Sequence, residues 1–143
     1  MSLTGAYDDN NIFAKILRGE MPAAKVQEDA EALVIMDVFP QSRGHCLIIP
    51  KARARNLLEL APEAAPALFA RVQQVAKAVA AALKPDGIVI TQFNGAPAGQ
   101  TVFHLHVHVI PRYEGEALKG HGHAPMADMA ALQALAAQIA AEL

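Results

Sequence analysis

The run His104-Leu105-His106-Val107-His108-Val109-Ile110 constrains this chain more than any other segment. Histidines alternate with apolar residues. That is the period of a strand, in which residues i, i+2 and i+4 share a face. The pattern predicts a strand over Thr101 to Ile110, closed by Pro111. One face then carries three imidazoles, with alternate residues about 7 Å apart. The other face carries Leu105, Val107 and Val109 and suits a core. A row of imidazoles can be solvated or structurally hydrogen-bonded. It can also bind a metal, attack phosphorus or hold an anion.

The rest of the chain narrows these uses. Its 143 residues suit one domain with a sizeable core. The apolar fraction is 53%, much of it alanine. No run of about eighteen apolar residues suggests a membrane span. The first ten residues are polar and lack the basic start and apolar stretch of a secretory signal. Cys46 is the single cysteine, which rules out an intrachain disulfide and a four-cysteine zinc site. A reducing, cytoplasmic setting is the expectation. Twelve basic and fourteen acidic residues give a net charge of −2, without the basic surface that nucleic-acid binding needs.

Periodicity predicts a short helix over Asn11 to Arg18, with Ile12, Phe13 and Ile16 on one side, and Gly19 and Pro22 stopping it. Strands are expected at Lys25 to Glu28, Ala32 to Val38, His45 to Ile49 and Ile88 to Phe93. A long helix spans Ala61 to Lys84 through Leu68, Phe69, Val72, Val75, Val79 and Leu83, with Pro66 able to delay its start. A last amphipathic helix covers Met126 to Leu143. Short connections favour an antiparallel sheet with a helix packed on it, an α+β fold. Seven residues between the last two strands are too few for a parallel crossover, so a hairpin is expected. It would bring the loop Asn94 to Gln100 close to His104.

Several smaller features stay ordinary. Gly95 to Thr101 lacks the Gly-Lys-Ser/Thr ending of a P-loop and leads into a strand. Cys46 and His45 are adjacent on a strand and face opposite ways, so Cys46 reads as a small buried residue. Arg53 and Arg55 read as surface charges, and His121 and His123 as solvated loop residues. A metal at the histidine row could draw on His45, but no carboxylate lies near the row in sequence to orient the ligands.

The segment Gln100-Thr101-Val102-Phe103 followed by the histidine run resembles the signature of the histidine triad superfamily. Asn11-Ile12-Phe13-Ala14-Lys15-Ile16, Gly19-Glu20-Met21-Pro22, Asp37-Val38-Phe39-Pro40, Gly44 to Lys51, Asn94-Gly95 and Ala98-Gly99-Gln100 match in order. The resemblance spans residues 11 to 113, leaves a divergent tail from 114, and is closest to the small nucleotide-binding, Hint-like branch. It implies that His106 is a nucleophile toward the α-phosphorus of a purine nucleotide. His104, His108 and His45 would support it, with Thr101 near the phosphate or leaving group. Asp37 would bind ribose. Asn94, Gly99, Gln100 and Val102 would line the phosphate side. Ile12, Phe13, Ile16, Ile35 and Val38 would form an apolar base pocket, though each is equally at home in a core. It also implies a homodimer with a sheet running across it, and no cofactor.

Two departures from the resemblance matter. Many bacterial relatives hold a structural zinc with a Cys-x-x-Cys pair at the first helix and a histidine after Pro-Lys. Here Asn11, Ala14 and Arg53 take those positions, so no structural zinc is expected. The transferases of the superfamily replace the last histidine by glutamine and place proline after the first. His108 and Leu105 favour hydrolysis instead, of a phosphoramidate or a dinucleoside polyphosphate. A regulatory nucleotide-binding module with weak turnover is the alternative.

Overall fold

The computed structural model describes residues 2–120 and 124–143. His121 and His123 lie outside the described residues. The order is α1 (Ile12–Leu17), β1 (Lys25–Glu28), β2 (Ala32–Met36), β3 (Cys46–Pro50), α2 (Ala65–Leu83), β4 (Gly87–Thr91), β5 (Val107–Arg112) and α3 (Met129–Ala140). The strands form one antiparallel sheet in the order β1-β2-β3-β5-β4. The α+β expectation holds. Among the described residues no helix is long and apolar enough to cross a membrane.

Both faces of the sheet are covered, so β2 and β3 are buried at every position and read as unbroken apolar runs. One face packs Val34, Met36, Cys46, Ile48, Val107 and Val109 against α2 and α3. The other packs Leu33, Ile35, Leu47 and Ile49 against Phe13 and Ile16 of α1. Helix α1 is short but well capped: the Asn11 side chain accepts from the Ala14 N–H at 2.9 Å. Its burial against the sheet, rather than its length, keeps it formed.

Several boundaries differ from the sequence reading. Helix α2 starts at Ala65 after a 3₁₀ turn at Pro62–Ala64, and Pro66 sits in the first turn, where no N–H is required. Phe69, assigned to the buried stripe by spacing, is 70% exposed. The largest correction concerns the histidine segment. The strand begins at Val107, not Thr101, and runs through Pro111 to Arg112. Residues 104–106 leave the ladder because their hydrogen bonds go elsewhere. The Leu105 N–H donates to Ala54 O at 2.8 Å, and His104 O accepts from the His106 ring at 2.7 Å. Pro111 fits because β3 ends its pairing at Cys46↔Val109, so β5 has β4 alone beside it there. The last two strands pair as a hairpin, but residues 92–106 connect them rather than seven residues.

Candidate active site

The changed boundary splits the three histidines. His106 and His108 stay together, with ring centroids 5.0 Å apart. His45, delivered by the turn before β3, joins them at 5.1 Å from His108. His104 instead turns its ring toward Pro50 and Tyr7. All four are buried.

Hydrogen bonds fix where each proton sits. A carbonyl only accepts, so His106 carries its proton on Nδ1, donated to His104 O at 2.7 Å. In the neutral ring the other nitrogen, Nε2, then holds the lone pair. Phe13 meets this ring edge-on at 4.8 Å and 78°, which sets its plane. The Gln41 backbone N–H donates to His45 Nδ1 at 3.0 Å, so His45 is protonated on Nε2. That N–H faces His108 Nδ1 at 2.9 Å and Asp37 Oδ2 at 3.4 Å. His108 Nδ1 is thereby an acceptor, and His108 carries its proton on Nε2. Asp37 Oδ1 accepts from the Phe39 N–H at 2.8 Å.

His104 is protonated on Nε2, which donates to Pro50 O at 2.7 Å. Burial pushes its pKa below the ordinary value of 6.5, with the Pro50 carbonyl opposing. The folded chain therefore binds fewer protons at His104 than the unfolded chain just below pH 6.5. Stability should be intact above pH 6.5 and fall as the pH drops from there past the lowered folded value. Melting curves at pH 7.5 and 5.5 should show this loss, and His104→Asn should flatten the slope between them. An unchanged slope in the variant would place the acid sensitivity elsewhere.

The remaining sequence-named residues separate into groups. Phe13, Ile16 and Ile35 lie together on the triad side, with Val102 packed against them. Ile12 is exposed and lines a cavity of about 600 Å³ with Ser2, Asp8, Asn11, Arg55, Thr101, Val102 and Phe103. Val38 departs from this group and packs on the helix-side core. The Asn94 side chain braces its loop, accepting from the Leu57 N–H at 3.0 Å and from Gln92 Nε2 at 2.8 Å. Buried Gln100 donates to Arg55 O and Val102 O and accepts from the Gly95 N–H. The Gly99 and Gln100 N–H groups turn back to Ala96 O and Gly95 O. Cys46 faces the helix-side core, and burial raises its thiol to about 12, so it stays protonated.

Sequence reasoning missed Tyr7, Gln41 and Phe93. Tyr7 lies in an aperiodic segment. Gln41 acts through its backbone, which carries no residue signature. Phe93, 5.5 Å from the His108 ring, read as a strand end. Asp37, His45 and His108 bring three ligating atoms within 4.8 Å of one another. The positions of the relatives' zinc do not fit that ion. Asn11 caps α1, Ala14 has no donor, and Arg53 holds Asp9 through two hydrogen bonds.

Residues 18–115 match the HIT domain family model. A solved Hit-like protein of Bartonella henselae superposes with a TM-score of 0.91 and 45% identity, covering 97% of this chain and all of that one. An adenylylsulfatase of Arabidopsis thaliana is 42% identical over 107 residues, 75% of this chain and 54% of that protein. An adenosine 5′-monophosphoramidase of Schizosaccharomyces pombe is 39% identical over 101 residues, 71% of this chain and 73% of that protein. With its paired His106 and His108, the buried His45 beside them and these likenesses, the chain belongs to the histidine triad (HIT) family, on its Hint-like branch.

Proposed function

We propose that this protein hydrolyses a bond to the α-phosphorus of purine nucleotides, foremost the P–N bond of an adenosine phosphoramidate, without a metal. The observation that carries this reading is the His106–His104 hydrogen bond, which leaves the lone pair on Nε2 of a ring held in place by Phe13. His106 Nε2 bonds to phosphorus, and the amine leaves with the P–N electron pair. Water then breaks the N–P bond to His106. Across both steps water supplies the hydroxyl that ends on phosphorus and the proton that ends on the amine. His108 Nε2–H, the Thr101 hydroxyl and the N–H groups of Thr101 and Val102 stabilise the phosphate oxygens. Asp37 accepts from the ribose hydroxyls, and the surface of Ile12, Phe13, Ile16 and Ile35 takes the base. The names of the two curated relatives share an adenylyl group and differ in what leaves it, which supports a site built around AMP.

The Gln41 N–H argues against a metal at Asp37, His45 and His108. To coordinate through Nε2, His45 would have to move its proton to Nδ1, where it would face another N–H donor. Turnover of adenosine 5′-phosphoramidate in excess chelator tests the reading. AMP release that survives chelation supports it, and release that needs added metal overturns it.

The same reading includes a homodimer joined through β4. The two sheet edges differ. β1 carries Lys25, Gln27 and Glu28 and a register irregularity, the usual protection of an edge. β4 is Gly-Ile-Val-Ile-Thr, uncharged, with Ile90 exposed, and Phe69 is exposed on α2. An apolar, unprotected edge suits pairing with a second copy. Ile90→Lys is expected to convert the dimer to monomer in light scattering at micromolar concentration. A monomeric wild type would remove this part of the proposal.

A further inference from the structure

Residues 2–11 form no helix or strand, yet they are tied to the rest of the fold at several points. Ser2 O and Ala6 O accept from the Arg55 guanidinium at 2.8 and 3.1 Å. Leu3 O accepts from the buried Asn56 side chain at 2.9 Å, and Ser2 Oγ accepts from the Ala96 N–H at 2.8 Å. Asp8 O accepts from Asn11 Nδ2 at 2.7 Å, and Asp9 O from Arg18 at 2.7 Å. Midway along this strap stands Tyr7. Its phenol hydrogen-bonds to His104 Nδ1, and its ring meets the imidazole edge-on at 5.6 Å. Arg53 lies over the tyrosine ring, 4.8 Å from its centre, and grips Asp9 at 2.9 and 2.8 Å.

The direction of each bond follows from the one before it. His104 Nε2–H is committed to Pro50 O, so Nδ1 is an acceptor and the phenol donates to it. Both ring nitrogens are then bonded, one to the strap and one to the end of β3. The residue so pinned is the one whose backbone carbonyl receives the His106 Nδ1–H. It stands outside the strand ladder, so no sheet hydrogen bond holds that carbonyl. The orientation of the His106 ring therefore depends on how firmly His104 is held.

We propose that Tyr7 is a positioning residue: the N-terminal strap, through the Tyr7–His104 hydrogen bond, holds the carbonyl that fixes the tautomer and aim of His106. This rests on the reading of His106 as the nucleophile. Arg53 and Asp9 serve by keeping the tyrosine ring seated.

The test is Tyr7→Phe, which keeps the ring and its contact with Arg53 and removes only the hydroxyl. With adenosine 5′-phosphoramidate, kcat should fall about tenfold while KM and AMP affinity stay within about twofold, because aim is lost and binding is not. In parallel, ¹⁵N-resolved NMR of the histidine rings should show His104 as the Nε2–H form in the wild type and a tautomer mixture in the variant. His106 should lose its single Nδ1–H signature. Arg53→Gln, which leaves the phenol in place, should shift the same signals in the same direction by less. A Tyr7→Phe protein with unchanged kcat and unchanged histidine spectra would overturn the proposal. If the wild type releases no AMP, the hydrolase reading fails, but the spectra still decide whether Tyr7 sets the two tautomers.

Discussion

His106→Ala is expected to lower AMP release from adenosine 5′-phosphoramidate by about 10⁴-fold or more, because the proposed covalent intermediate forms on His106. AMP affinity should change by no more than about threefold, since the phosphate and ribose contacts proposed for Thr101, His108 and Asp37 are untouched. The substitution also removes a buried ring from Phe13 and leaves His104 O without its donor. It should therefore cost about 2–3 kcal/mol of stability. His106→Asn separates the two effects. Its amide can still donate to His104 O, so it should melt closer to the wild type, but it offers no nucleophilic nitrogen and should be as inactive as the alanine variant. Substantial turnover by either variant would show that His106 is not the nucleophile. Loss of AMP binding in both would show that the site is distorted rather than disarmed.

How much of this could be read from the sequence depended on where the information lies. The sheet was legible because the strands carry apolar runs bounded by glycine and proline, and short antiparallel connections left few topologies. The alternation of histidines drew attention to residues that the fold buries, but it implied the wrong local structure. Alternation reports a two-residue period, and residues 104–106 hold that period in sequence while leaving the sheet. What pulls them out is long-range: Ala54 O, Pro50 O and the Tyr7 phenol, 51, 54 and 97 positions away from their partners, have no local signature. Val38 shows the same limit in another form. It sits two residues beyond β2, where strand alternation no longer applies, and turns to the helix-side core. The proton positions on His45 and His108 depend on one backbone N–H, that of Gln41, which any residue except proline would supply.

That N–H is held in place by the turn ending at Gly44, and Gly44→Ala should be among the most destabilising single-methyl changes in the chain. Gly44 has φ +94, a conformation that side chains with a Cβ rarely adopt. A Cβ there would stand 2.3 Å from Leu83 Cδ1 and 3.2 Å from Pro111 Cγ. The backbone conformation costs about 1–2 kcal/mol and the crowding about 1–3 kcal/mol. The melting temperature should thus fall by roughly 6–17 °C. Leu83 is the last residue of α2 and can yield in part, so Leu83→Ala on the same background should recover the steric share and leave the backbone share. The consequence for chemistry follows from the geometry of the turn. If the turn opens, Gln41 withdraws from His45, His45 is free to reverse its tautomer, and the donor that orders His108 is lost. Turnover per folded molecule should then fall together with stability in Gly44→Ala. It should return in the double variant only if the crowding, rather than the backbone strain, is what displaces Gln41.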